Sequence, residues 1–348
     1  MAEPRIEVDL AAFRHNVKTL SELVAPARTM LAVKADAYGH GLLPLARAAL
    51  ESGADSLAVL EVPAALELRL RGITAPLFAW LHGTGTDFRV AVDSEIDLGV
   101  SALWQLEAII AAPTTRMPQV HLKVDTGLHR NGARPQDWPA LVTAAVKAER
   151  AGQLEVAGIW SHLADASPED DAEALARFHK AIEVAVKLGA TPPLYHLAAS
   201  SAGIRMPEAR LGLVRFGIAA YGVSPFDDAT AADLGLLPVM TVRAPVTGVV
   251  EGAATIALGS ADGIPAPAAG RAEVLIKKKR YPVLTIEIDS ITIDIGKAKI
   301  TVGDEVVLFG GVPGAPSAED WATWAETIGD EIVARASTRI PRTYLNQT

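Results

Sequence analysis

Cysteine is absent from all 348 residues. Disulfides, thiolate metal centres and cysteine nucleophiles are thereby excluded, and a reducing compartment fits. Long apolar runs are missing as well, since no stretch approaches the ~20 residues of a membrane-spanning helix. The opening "MAEPRIEVDL" has no basic region followed by an apolar core. The expectation is a cytoplasmic protein with no membrane partner. Positive charge is in deficit, with 32 basic residues against 41 acidic ones and a net charge of −9. The one basic block is "KKKR" at Lys277–Arg280, so nucleic acid is not an expected partner. What the chain does have is apolar substance: 50% of its residues against 21% charged, enough for one large core or two modest ones.

Between residues 30 and 222 lie eight strand-length apolar segments: "LAVKA", "SLAVLE", "PLFAWLH", "IDLGVS", "VHLKVD", "AGIWSHL", "LYHLAAS" and "LVRFGIAAYG". Several are separated by helix-like stretches such as "LPLARAALES", "DWPALVTAAVKAER" and "DAEALARFHKAIEVAVKL", which is the pattern of repeated βα units. Eight such units close as a (β/α)8 barrel, with its site at the carboxyl ends of the strands. The polar residues stand there: Lys34 in "AVKAD", Lys123 in "LKVD", His162 in "WSHL", Ser200 in "AASS" and Arg215 in "VRFG". A doubly wound open sheet is the competing architecture.

After Tyr221 the character changes. "VSPFDDATAADLGLLP" reads as an irregular linker, and the remainder is strand-like and turn-rich, with helix only in "AEDWATWAETI" near residue 320. "LTIEIDSITIDI" alternates apolar and polar residues, "KITVGDEVVLFG" carries a Gly-Asp turn between two strand candidates, and small-residue-rich "EGAATIALGSADGIPAPAAG" reads as loop. The expected organisation is a barrel over residues 11–225 and a C-terminal β-rich domain over 226–348. The N-terminal strand 5–10 is expected to join the second domain.

"EVDLAAFRHNV", "AVKADAYGHG", "HLKVDTGLHRNG", "GIWSHLA", "HLAASS", "VRFGIAAYG", "SADG" and "RIPRTY" occur in that order. In this combination they resemble the motifs of the alanine racemase family, pyridoxal-phosphate enzymes that interconvert L- and D-alanine. The resemblance implies a TIM barrel followed by a β domain, a homodimer with shared active sites, pyridoxal 5'-phosphate as cofactor, a small amino acid as substrate, and no metal. Lys34 then corresponds to the lysine that carries the cofactor as a Schiff base and serves as one base at Cα. Tyr38, Ser200 and the amides of Gly217 and Ile218 correspond to phosphate-binding groups, and Arg215 to the arginine facing the pyridine nitrogen. Arg130 corresponds to the arginine at the phenolic oxygen. Lys123 corresponds to a lysine carbamylated in some members, and His162 to a histidine that hydrogen-bonds toward Arg215.

The chain also departs from that pattern. The family's second base is a tyrosine on a Val-Ser-Tyr-Gly-like motif, whereas here "VRAPVTGVVEGAATIALGSADG" runs straight from one landmark to the next and no tyrosine lies between Tyr221 and Tyr281. Ser260 replaces the tyrosine usual in "GYADG", Ile288 the methionine usual near "CMDQ", and Thr338 a tyrosine of some members; Asp289 is retained. Tyr281 falls in a segment leading into a strand and is a poor substitute for the base. Three readings follow: a working racemase with another second base, a one-base enzyme acting on one enantiomer, and a cofactor-binding homologue without activity. Metal-dependent lyases of this fold use a zinc-site cysteine, which this chain lacks.

Overall fold

The computed structural model describes residues 3–347. By its internal contacts the chain falls into two compact units, one of Leu20–Lys34 with Gly53–Gly217, the other of Met1–Thr19, Ala35–Ser52 and Ile218–Thr348.

Strand β1 (Arg5–Asp9) belongs to the second of these units. The first is built on β2 (Arg28–Ala32), β3 (Ser56–Val59), β4 (Leu77–Ala79), β5 (Ile96–Val100), β6 (Gln119–Lys123), β7 (Glu155–Trp160), β8 (Leu194–His196) and β9 (Leu213–Phe216). They form one parallel sheet in the order β8-β7-β6-β5-β4-β3-β2-β9. The amides of Gly212 and Arg215 then donate to Tyr195 O (3.2 Å) and Ala198 O (3.1 Å), which joins the two end strands and closes the barrel. All eight apolar segments read from the sequence contribute a strand. Parallel strands covered on both faces read as continuous apolar runs, and every residue of β3, β4 and β9 is buried accordingly. Met30, Ala58, Phe78, Trp160, Leu194 and Leu213 fill the interior. Helix Pro168–Lys187 shows why such a stretch stops where it does: Ser167 accepts from the Asp170 amide, three acids occupy the first turn and Lys187 the last.

The second unit holds an almost entirely antiparallel sheet of β1 with β10 (Met240–Val250), β11 (Ala253–Ile256), β12 (Glu273–Ile276), β13 (Lys279–Ile286), β14 (Ile291–Asp294), β15 (Glu305–Phe309) and β16 (Arg342–Leu345). The order is β11-β14-β13-β12-β15-β10-β1-β16, and β10 also pairs with β11, so six strands close on themselves. The N-terminal strand pairs in this sheet between β10 and β16. Two expectations are corrected. The stretch read as loop contains β11, whose small residues sit between two partner strands and need no bulk of their own. "KIT" at residues 299–301 forms no strand, so "KITVGDEVVLFG" supplies only β15. Among the described residues no helix is long and apolar enough to cross a membrane.

Candidate active site

In the barrel unit the chemistry-bearing residues share one end. Lys34 lies two residues beyond β2, Lys123 is the last residue of β6, Arg130 follows in the loop after it, His162 lies two beyond β7, and Ser200 and Gly217 follow β8 and β9. This is the carboxyl end of the strands, where barrel enzymes carry their sites. Tyr38 and Ile218 fall in the other unit.

Arg215, within β9, is 7% exposed. Its Nη2 donates to Ser161 O (2.8 Å), Leu197 O (2.8 Å) and His162 Nδ1 (3.2 Å), and its Nη1 to His196 Nδ1 (3.0 Å). All four acceptors are uncharged. Burial lowers its pKa to about 9, which leaves it protonated at neutral pH. Lys123 is 3% exposed, with Nζ 4.4 Å from the centre of the Trp160 ring. Burial, reinforced by Arg215 and Arg130 and opposed by Asp125, brings its ammonium down to about 7. His162 is held neutral, well below the usual histidine range, by burial and then by Arg215, Arg130, Lys123 and Lys34. Four cations therefore converge on one histidine. Gly217 N donates to Ser200 Oγ (3.1 Å), setting a hydroxyl and a backbone amide side by side.

Two strand-end loops are pinned. After β6, Asp125 N donates to Ala133 O (2.9 Å) and Ala133 N to Lys123 O (2.8 Å), closing a loop that contains Arg130. Inside it Asp125 Oδ1 accepts from the amides of Gly127 (3.0 Å) and His129 (3.1 Å). Gly132, at φ 126°, passes so close that a Cβ would meet Asp125 N at 2.8 Å. After β2, Ala35, Asp36, Ala37 and Tyr38 all take left-handed backbone, with φ of 50–54°. Left-handed conformation costs an L-residue roughly 1–2 kcal/mol, so the four together carry on the order of 4–8 kcal/mol. The turn is held by Gly39 N to Ala35 O (2.9 Å), Gly41 N to Asp36 O (2.9 Å), Leu42 N to Asp36 Oδ1 (2.6 Å) and the Arg342 guanidinium on Gly39 O. Concentrated strain of this kind is characteristic of functional sites.

The sequence reading missed His196, His121 and Trp160, which lie under Arg215 and Lys123. Single residues on strands carry no spacing signal, and only the closed barrel shows that they meet. The segment expected to carry a second base is a tight hairpin. Val250 of β10 pairs with Ala253 of β11, so the connection is Glu251–Gly252 alone, with Gly252 at φ 76°. Tyr281 is a buried residue of β13 opposite Val274, and Ile288 is 73% exposed.

A closed parallel barrel whose carboxyl end gathers a strand-end lysine and several cations, together with a β-rich unit, is the architecture of the barrel enzymes that carry their sites at the strand ends. The chain belongs to the alanine racemase family. Residues 8–225 match the alanine racemase N-terminal domain and residues 243–344 the C-terminal domain. It is 42% identical to an alanine racemase of Thermobifida fusca, covering 99% of this chain and 98% of that one, and 42% identical to one of Frankia casuarinae, covering 97% and 95%. Among solved structures it resembles alanine racemases of Streptomyces lavendulae (39% identity, TM-score 0.97) and Streptomyces coelicolor (40%, TM-score 0.96), each over 99% of this chain and 98% of the other.

Proposed function

We propose that this chain carries pyridoxal 5'-phosphate on Lys34 and interconverts the enantiomers of a small amino acid, with alanine the first to try. The observation that carries this reading is the gathering of positive charge. Lys34, Lys123, Arg130 and Arg215 all bear on His162, and the four groups to which Arg215 donates are uncharged. A cation set of that kind in a partly dry barrel end favours a multiply charged anion. A phosphate ester with a phenolic oxygen and an accepting ring nitrogen fits the donor set, because hydroxyl, amide and guanidinium donors are all present and Arg215 can only donate.

When bound, the cofactor supplies an electron sink conjugated to the Cα–H bond of the amino acid. The chain's own residues do the rest. Lys34 Nζ would hold the cofactor covalently and, once released from it, would hold or move the Cα proton. Arg215, which keeps its protons, would face the ring nitrogen and favour its unprotonated form, which would limit charge spreading and disfavour side reactions. Ser200 and the Gly217 N–H would hold the phosphate, with Tyr38 and the Ile218 amide assigned to it by the family resemblance. Arg130 would hold the phenolic oxygen. Lys123, with its ammonium lowered to about 7, offers a neutral amine fraction that can take up carbon dioxide, and the resulting carbamate would give Arg130 an anionic partner. A homodimer with shared sites completes the proposal, supported by the exposed apolar Val250 (70%) and Ile288 at hairpin ends of the β-rich unit. Light scattering should return twice the mass of one chain. We place it in the cytoplasm.

The two-residue turn at Glu251–Gly252 favours a second reading, in which Lys34 works as a single base on one enantiomer. Both readings share a first test. Protein loaded with the cofactor should show a visible chromophore that borohydride reduces onto Lys34, and Lys34→Ala should lack it. A reducible chromophore persisting in that variant sinks the assignment.

A further inference from the structure

A second line of polar side chains runs through the barrel interior beneath Arg215. Arg215 Nη1 lies 3.0 Å from His196 Nδ1, His196 Nε2 lies 3.0 Å from His121 Nδ1, and His121 Nε2 lies 3.6 Å from Asp97 Oδ2. They come from four strands: β9, the last residue of β8, the middle of β6, and the second residue of β5. Both imidazoles are buried, His121 Nε2 has no hydrogen-bond partner, and the Asp97 side chain is 28% exposed.

The proton on each nitrogen follows from the first link. A guanidinium has donors only. His196 Nδ1 must therefore accept, which makes His196 neutral with its proton on Nε2. That proton points at His121 Nδ1, which must accept in turn, so His121 is also a neutral Nε2–H imidazole. Its donor then faces the carboxylate. The separation of 3.6 Å exceeds a direct hydrogen bond, and a turn of the partly exposed Asp97 side chain would be needed to close it.

The surroundings hold the rings in these orientations. The Trp160 ring stacks on His196 at 3° and 5.7 Å, and Phe78 packs on His121 at 4.8 Å. Gly158, paired with His121 across β6 and β7, has no Cβ where the His121 ring sits. We propose that Asp97 and His121 are positioning residues for Arg215. With His196 they form a one-way chain of hydrogen bonds, from guanidinium to imidazole to imidazole to carboxylate, that keeps His196 Nδ1 an acceptor and fixes the plane of the guanidinium. Plain core packing would be served equally by apolar side chains at 121 and 196, and it sets no tautomer.

The inference relies on the proposed function only for what Arg215 faces, and its test does not need activity. The test is nitrogen NMR of protein labelled with ¹⁵N-histidine, with and without cofactor, His121 and His196 being assigned by substitution among the eight histidines. Both rings are expected as neutral Nε2–H tautomers in either state. His121→Gln should leave His196 in that tautomer, because the amide oxygen accepts as Nδ1 did. Asp97→Leu removes the carboxylate that the His121 Nε2–H faces, so the His121 nitrogen shifts should move without a change of tautomer, with a smaller displacement at His196. Finding His196 doubly protonated or protonated on Nδ1 in the unsubstituted protein overturns the proposal. So does an Asp97→Leu spectrum unchanged at both rings. Loss of the chromophore assignment with the tautomers intact would instead sink the cofactor reading and leave the relay standing.

Discussion

Lys123 sits at 3% exposure among cations, and that has a thermodynamic signature. Its pKa falls from 10.5 in the unfolded chain to about 7 in the fold, so between those values the unfolded state binds the extra proton and stability rises with pH. Below pH 7 the full cost of the buried charge is carried, up to several kcal/mol. Lys123→Met should therefore raise the melting temperature of cofactor-free protein at pH 7 in carbon-dioxide-free buffer. The difference from the unsubstituted protein should shrink steadily toward pH 10.5. A variant less stable than its parent at pH 7 would show that the site already neutralises this amine. Buried His40 and His82 act at the other end of the scale, both lowered to about 4 chiefly by burial. They must stay neutral in the fold, so the stability they contribute is present above pH 6.5 and lost as pH falls toward 4. His82→Leu should lose less stability than its parent over that window, by up to about 3 kcal/mol. Acid titrations followed by circular dichroism decide it, and parallel curves refute it. The motif lysine was legible because it stands at the end of an apolar run. The depression of Lys123 was not, because Arg130, seven residues on in sequence, and Arg215, ninety-two on, meet it only in the fold.

At the scale of the element, the left-handed turn at Ala35–Tyr38 makes a test that an ordinary helix would fail. In a right-handed helix Ala→Gly costs about 1 kcal/mol. At φ 50° the sign is reversed, since glycine visits that region freely and any Cβ is strained there. Ala35 is exposed, so no cavity complicates the exchange. Ala35→Gly should be neutral to stabilising by up to about 1 kcal/mol, and Ala35→Val destabilising by about 1 kcal/mol or more. Denaturant midpoints at constant slope measure both. A destabilising glycine would mean that the turn is right-handed in solution. Nothing in "KADAYGHG" announces this backbone, because the residues that adopt it are Ala, Asp, Ala and Tyr, and glycine appears only after them. The barrel strands, by contrast, were readable as unbroken apolar runs. β11 was not, since a strand with neighbours on both sides can be built from "AATI" and looks like loop composition.

For the whole molecule the governing fact is a count of proton donors. Racemisation removes a proton from one face of Cα and returns one to the other, so two groups on opposite faces are needed or one must be replaced by solvent. Lys34 supplies one. The hairpin between β10 and β11 has two connecting residues, glutamate and glycine, and a homodimer of this chain would repeat that turn in both copies. The sequence reading that the tyrosine motif is absent concerns this same stretch, and the structure bears only on its backbone. The structure adds that the shortened segment is a continuous, paired hairpin. Losing one of two acid–base groups commonly removes ~10²- to 10⁴-fold of rate, which sets how far apart the two readings lie. In heavy water the cofactor-loaded protein should exchange the α-proton of alanine with inversion, as the proposed racemase function requires. Under the single-base reading one enantiomer alone would exchange, with its configuration retained, and inversion would lag that exchange by a comparable factor. Following L- and D-alanine separately by NMR, with chirality read at the end, distinguishes the cases. Inversion keeping pace with exchange from both enantiomers would show that a second proton donor operates despite the shortened hairpin, and the single-base reading would fall while the racemase reading stands.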